Sequence, residues 1–490
     1  MSSQLFLTWF TLYLSGVFCF GLWMSRGNRT GEDFLLGGRS LPFFLTLGTT
    51  VATMVGTGSS MGAVGKAYAN GWTGWFYGIG GFFGLLLVAA VFAPVRQYRF
   101  MTMAEEISAY VGANRTVRNL LSILIYLACV GWLGAHIIGG SMYLEQILGL
   151  PSITAKLIVA LGFALYSIVG GYRAVVWTDA LQAVVLFIGF VITAGFAYQA
   201  IGGWDQLQSV NATIAAKSES TWIHAISLAA ATAVGVLGTP SFRQRVYSGK
   251  SARAVRKAFA TSAVIYLAFG VLPASIGIAA YQANPGIEKV DRVFPFMATE
   301  QLPLALGVAV LIAGLSATMS SASSDAVAGV TTLMTDVSIA ILGRVPAASK
   351  VILFSRISLA FTIALAIAMT LAAKSIVGFI TSMIGLFLSG MCVAGFLGRL
   401  WPRYNAPGAI ASLISASLTA AIINHLHYAR PWLEFWANPV IPAVCVSVVA
   451  GIVVSLLTPP DSVSFEAAVS LLEEERQSGN TTGLSENAGA

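Results

Sequence analysis

The stretch Ala317-Thr-Met-Ser-Ser-Ala-Ser-Ser-Asp325 sets a row of oxygen ligands inside a hydrophobic segment that runs from about Leu304 to Val337. Ala317, Ser320, Ser321, Ser324 and Asp325 recur at i, i+3, i+4, i+7 and i+8, so one helix face carries them all. Thr331, Thr332 and Thr335 continue that face. Hydroxyls and a carboxylate at membrane depth must be buried in protein or line a wet path, because lipid offers them no partners. Hard oxygen ligands suit small cations. Small residues also let membrane helices approach closely, but close packing does not call for Asp325.

The elements that hold these residues are membrane spans. The chain is 57% hydrophobic and 10% charged, and long apolar runs recur throughout, which makes it an all-α polytopic membrane protein. Thirteen spans are expected, at 4–24, 41–69, 73–95, 119–147, 151–170, 176–201, 222–240, 258–282, 304–337, 351–372, 375–398, 407–427 and 437–458. The first has no basic leader and no small-residue cleavage site, so it reads as a span and not a signal peptide. Cys19, Cys129, Cys392 and Cys445 fall inside apolar spans without paired spacing, and neither a disulfide nor a metal site is expected of them.

The basic residues set the orientation. Nineteen fall in one set of loops, among them Arg26, Arg29, Arg39, Arg96, Arg118, Arg243, Arg245, Lys250, Arg344, Lys350 and Arg356, against seven in the other, which includes Lys66, Lys217 and Lys374. The richer set is cytoplasmic, so the N-terminus is expected outside and the C-terminus inside. The net charge of +7 is then a topology signal and no nucleic-acid partner is implied. The tail after Thr458 is short and acidic around Glu473-Glu474-Glu475, and reads as a disordered or partly helical cytoplasmic end.

Two spans carry interruptions, Thr53-Met-Val-Gly-Thr-Gly-Ser-Ser60 in the second and Gly235-Val-Leu-Gly-Thr-Pro240 in the seventh. They lie five spans apart, as they would if each of two five-helix halves began with a broken helix. Such paired breaks mark transporter binding sites, where unwound backbone supplies carbonyls and half-helix ends supply dipoles. Between the fifth and sixth spans stands Gly170-Gly-Tyr-Arg-Ala-Val-Val-Trp-Thr-Asp-Ala-Leu-Gln182. Its Asp179 reads either as a first-turn acid favoured by the helix dipole or as an ion ligand.

Gly37-Gly-Arg-Ser40, the Gly-Gly-x5-Trp-Thr-Asp-x2-Gln motif at 170–182 and the serine-rich ninth span ending in Asp336 together resemble the solute:sodium symporter family. The resemblance covers essentially the whole chain. It implies a leucine-transporter-like core of two inverted five-helix repeats, working by alternating access. The chain then divides into a first helix and loop (1–40), a ten-helix transport core (41–400), two further helices (401–458) and the tail (459–490). The family's main sodium site, carried over, takes oxygens from Ala52, Val55, Ala317, Ser320 and Ser321. A second cation site present in some members would draw on Asp179, Ser320, Ser323 and Ser324. By helical geometry Ser323 points off the stripe. Asp325 departs from the family pattern, and reads as a further cation ligand, a proton-coupling group or the partner of a neighbouring arginine.

The expected substrate lining is Gly56, Ser59, Ser60, Trp132, His136, Thr232, Gly235, Phe379, Ser382 and Met383, with no lysine or arginine. That suits a small zwitterion, neutral solute or quaternary amine better than a di- or tricarboxylate. No channel-type filter repeat is present, and His136, His224, His425 and His427 are too scattered for an enzyme site. The expectation is therefore a monomeric symporter in a cell membrane, in a bacterium the inner one. Its partners are sodium ions, a small organic solute and the lipid bilayer. The alternatives are a proton-coupled or choline-type symporter on the same fold, or a non-transporting sensor.

Overall fold

The computed structural model describes residues 3–25, 36–339, 351–371, 373 and 375–485. Among them, regular structure is helical apart from an isolated parallel bridge between Leu41 and Gly249. Nine helices in the described residues are long and apolar enough to cross a membrane, or ten if the bent pair Trp204–Lys217 and Trp222–Gly238 forms one span. That tally and the thirteen expected spans divide the same helices differently. Phe43–Met54, Ser152–Gly162 and Ile357–Thr370 are apolar but short, and Gly58–Tyr98 counts as one run although Gly71 (φ 64°, ψ −140°) turns the chain between the second and third expected spans.

Both interruptions fall where glycine, threonine and proline oppose a regular helix. Phe43–Met54 stops at Val55 (φ −91°, ψ 58°), and a wide π turn at Gly58–Gly62 leads into Ala63–Asn70. Ser59 and Ser60 donate to the carbonyls of Met54 and Gly56, each at 2.7 Å, which satisfies acceptors the break sets free. In the second interruption Pro240 has no N–H to give and drives Thr239 to an extended conformation (φ −77°, ψ 124°). Trp222–Gly238 ends there, and Pro240–Ser248 begins as a new helix. Gly171, at φ 60°, likewise breaks the run Ser152–Ile201 between two expected spans, in a region glycine enters without strain.

The serine helix, Leu304–Thr332, is the centre of the molecule. It packs against Ser152–Ile201, Arg115–Leu148 and Phe43–Met54, and every residue from Ala313 to Thr332 is buried. By contrast Leu181, Val184, Ile188 and Val191 form an exposed apolar face on Ser152–Ile201, suited to lipid.

The basic residues require a correction. Arg243 and Arg245 are not loop residues but sit in Pro240–Ser248, 1% and 0% exposed. Arg39 and Arg118 are buried as well. Each is tolerated because it has somewhere to place its charge. Arg39 donates to the carbonyls of Phe100 and Arg99, Arg118 faces Asp336 and Glu475, and Arg243 lies over the ring of Phe92. Arg26, Arg29, Arg344, Lys350 and Lys374 lie outside the described residues, as does the side chain of Arg356. The tail is helical over Phe465–Ser485 and docks through Phe465 on Tyr98 and Tyr110 and through Glu475 on Arg118.

Candidate functional site

The first break faces the serine helix. Ser320 Oγ is 3.3 Å and Ser321 Oγ 3.4 Å from the carbonyl oxygen of Ala52. Ser321 Oγ is also 3.3 Å from the Thr53 carbonyl, and Ser320 Oγ 3.1 Å from that of Ala317. Hydroxyl-to-oxygen bonds are ordinarily about 2.7–2.8 Å, so these are stretched contacts between oxygens that a cation could bridge. Val55 is the residue at which the helix ends. The approach depends on Gly56, where an added Cβ would stand 2.6 Å from Ser321 Oγ and 3.0 Å from His136 Cε1.

Asp179 is wholly buried within Ser152–Ile201 and is not a helix cap. Its Oδ2 accepts from Thr49 Oγ1 at 2.7 Å, Ser324 Oγ at 3.0 Å and Arg245 Nη2 at 3.3 Å. Arg245 also donates to the Ser241 carbonyl at 2.7 Å, to Ser324 Oγ at 2.8 Å and to the hydroxyls of Thr49 and Thr53. A fixed guanidinium therefore stands among the residues from which the resemblance draws a second cation site. Ser323 turns away from them and donates to the Ser320 carbonyl of its own helix at 3.0 Å. Sequence reasoning missed Arg245 by counting it as loop charge. The available signal was its place one turn into a helix that Pro240 starts.

Beside the first break lies a small cavity. Gly56, Ser59, Trp132, His136, Thr232 and Gly235 line it, while Ser60, Phe379, Ser382 and Met383 do not. Ser60 is buried, its hydroxyl held by the Gly56 carbonyl. On the eleventh expected span a neighbouring residue faces the cavity. Ile384 reaches the cavity instead, and a Cβ on Gly235 would lie 3.0 Å from its Cδ1. Tyr77, Phe242, Thr57 and Thr239 also contribute, the last accepting from Trp132 Nε1 at 2.9 Å. Asp325 lines this cavity too, and its described partner is not an arginine: Oδ2 is 3.3 Å from His136 Nε2.

Two interrupted helices, one abutting a serine-lined helix beside a cavity, form a solute carrier's centre. Residues 34–416 match the sodium:solute symporter family. The chain belongs to that family. It is 28% identical to the sodium/pantothenate symporter of Escherichia coli over 471 residues, covering 90% of this chain and 94% of that one. It is 24% identical to the sodium/glucose cotransporter of Vibrio parahaemolyticus over 473 residues, covering 87% and 86%. Its fold is similar to that of a sodium-coupled sialic acid symporter solved in a substrate-bound, outward-open state. That likeness has a TM-score of 0.79 at 18% identity, over 92% of this chain and 97% of that one. The chain is a multi-pass membrane protein, and its activity is sodium-coupled symport.

Proposed function

We propose that this symporter imports a small neutral or zwitterionic organic solute by alternating access, driven by sodium entering at the first break. The sodium ligands in this reading are the carbonyls of Ala52, Val55 and Ala317 and the hydroxyls of Ser320 and Ser321. The observation that carries it is the convergence of both serine hydroxyls on the Ala52 carbonyl at 3.3 and 3.4 Å, in buried surroundings. An oxygen cage without a carboxylate suits a monovalent cation, since divalent ions would ask for acidic ligands. The solute occupies the neighbouring cavity, so the two sites share the broken backbone at residues 53–59. The protein acts as a monomer in a cell membrane, with its N-terminus outside and the docked C-terminal helix in the cytoplasm.

The test is uptake into proteoliposomes over a panel of small amino acids, polyols, amines and carboxylates, with sodium exchanged for potassium. Accumulation should require sodium, and the Ser320→Ala/Ser321→Ala double variant should need roughly tenfold more sodium per lost ligand, about 1.4 kcal/mol each. Unchanged sodium dependence in a folded double variant would remove this ligand set.

A further inference from the structure

We infer that Asp325, oriented by His136, is the residue that reads the solute, and that it accepts a hydrogen bond from a hydroxyl or ammonium group on it. This rests on the symport reading of the cavity. Asp325 is 2% exposed and His136 3% exposed. Asp325 Oδ2 faces His136 Nε2 at 3.3 Å, while Oδ1 is buried without a hydrogen-bond partner. A carboxyl oxygen left bare at membrane depth is costly. It lines the cavity, so a donor arriving there meets an acceptor already desolvated.

The imidazole's other nitrogen is held as well. His136 Nδ1 lies 3.0 Å from Thr57 Oγ1. With the Thr57 hydroxyl donating to Nδ1, the ring proton sits on Nε2 and donates to Asp325 Oδ2. In that arrangement Oδ1 can only accept. Two hydroxyls of the wall are spent on their own helix: Thr232 donates to the Leu228 carbonyl at 3.0 Å and Thr239 to that of Gly235 at 2.5 Å. No lysine or arginine lines the cavity to receive a carboxylate. A solute whose one polar group is an anion is therefore disfavoured, and a hydroxyl- or ammonium-bearing solute is selected. The position matters for coupling as well, since Asp325 lies one helical turn beyond Ser321.

The experiment is thermal unfolding of the purified, detergent-solubilised full chain in sodium or potassium chloride, with three probe series of matched carbon frames: diols and polyols, amino alcohols, and simple alkyl carboxylates. A member of the first or second series should raise the unfolding temperature in sodium only, and no member of the third should. Asp325→Asn should weaken a hydroxyl probe about tenfold and an ammonium probe more, since the charge-assisted bond is the stronger one. His136→Gln should weaken either probe less. Stabilisation by sodium alone should persist in both variants, which certifies their fold. Preferential binding of the carboxylate series, or solute binding by Asp325→Asn equal to the wild type, overturns the inference. A higher sodium requirement in Asp325→Asn without any solute also overturns it, by making Asp325 a cation ligand. Absence of any sodium effect on the wild type removes the symport reading itself, and this inference with it.

Discussion

Asp179 and Arg245 form a wholly buried ion pair, Oδ2 to Nη2 at 3.3 Å, that joins the sixth expected span to the second half of the second broken helix. Thr49 of the first broken helix bonds to both partners, and so does Ser324 of the serine helix. One carboxylate and one guanidinium thus tie four elements together at the level of the candidate ion site. Removing a single partner of such a pair leaves an uncompensated charge where water does not reach.

The first prediction follows from that pair. Asp179→Asn should lose about 3–5 kcal/mol of stability, the usual cost of stranding one member of a buried pair. The double variant Asp179→Asn/Arg245→Met should recover much of it, because neither charge is then left alone. Thermal unfolding of Asp179→Asn, Arg245→Met and the double closes the cycle. If Asp179→Asn keeps its stability and only lowers the sodium Hill coefficient toward one, Asp179 serves as an ion ligand and not as the partner of Arg245.

Gly56→Ala should impair sodium and solute together. The added methyl would stand 2.6 Å from Ser321 Oγ and 3.0 Å from His136 Cε1, so at least one must move. Either displacement disturbs a proposed ligand. The expected result is a rise of tenfold or more in the sodium needed for half-maximal uptake, with a raised solute KM. Wild-type kinetics would show that the break is pliable enough to absorb the methyl.

How much of this was legible in the sequence depends on the kind of signal. The oxygen-bearing stripe on the serine helix could be read from 3.6-residue periodicity, and both breaks from Gly, Thr and Pro. Where a helical run breaks is harder to read, because interrupted and continuous runs differ by backbone angles at a residue or two, as at Val55 and Gly171. Arg245 was misplaced because charge is a loop signal by default, and only the fold supplies Asp179 from more than sixty residues upstream. On the eleventh expected span the reading named Phe379, Ser382 and Met383, whereas the residue lining the cavity from there is Ile384.

Orientation can be tested at Ser251. It is exposed and caps Ala252–Phe269, donating no part of itself to the buried charge networks. The following residues Arg253, Arg256 and Lys257 remain a basic run that favours the cytoplasm. A cysteine placed by Ser251→Cys should react with an impermeant maleimide in inside-out vesicles and not in intact cells. Labelling of intact cells would reverse the proposed topology.

Asp291 offers a pH test outside the membrane spans. It is 5% exposed, and its Oδ2 accepts from the backbone N–H of Ile376 at 3.1 Å. Burial pushes its carboxyl above the usual carboxylate range, and the Ile376 bond only partly offsets this. The folded state therefore holds a proton more tightly than the unfolded chain does. Stability linked to this group is present below the ordinary carboxylate pKa and is lost as pH rises through the higher folded value. Asp291→Asn keeps an acceptor for Ile376 without a charge to bury. The variant should match or exceed the wild type in unfolding temperature at pH 7, and should lose the part of the wild-type decline that occurs just above the ordinary carboxylate range. A variant less stable than wild type at pH 7, with an unchanged pH profile, would mean that the ionised carboxylate is the stabilising form at this site.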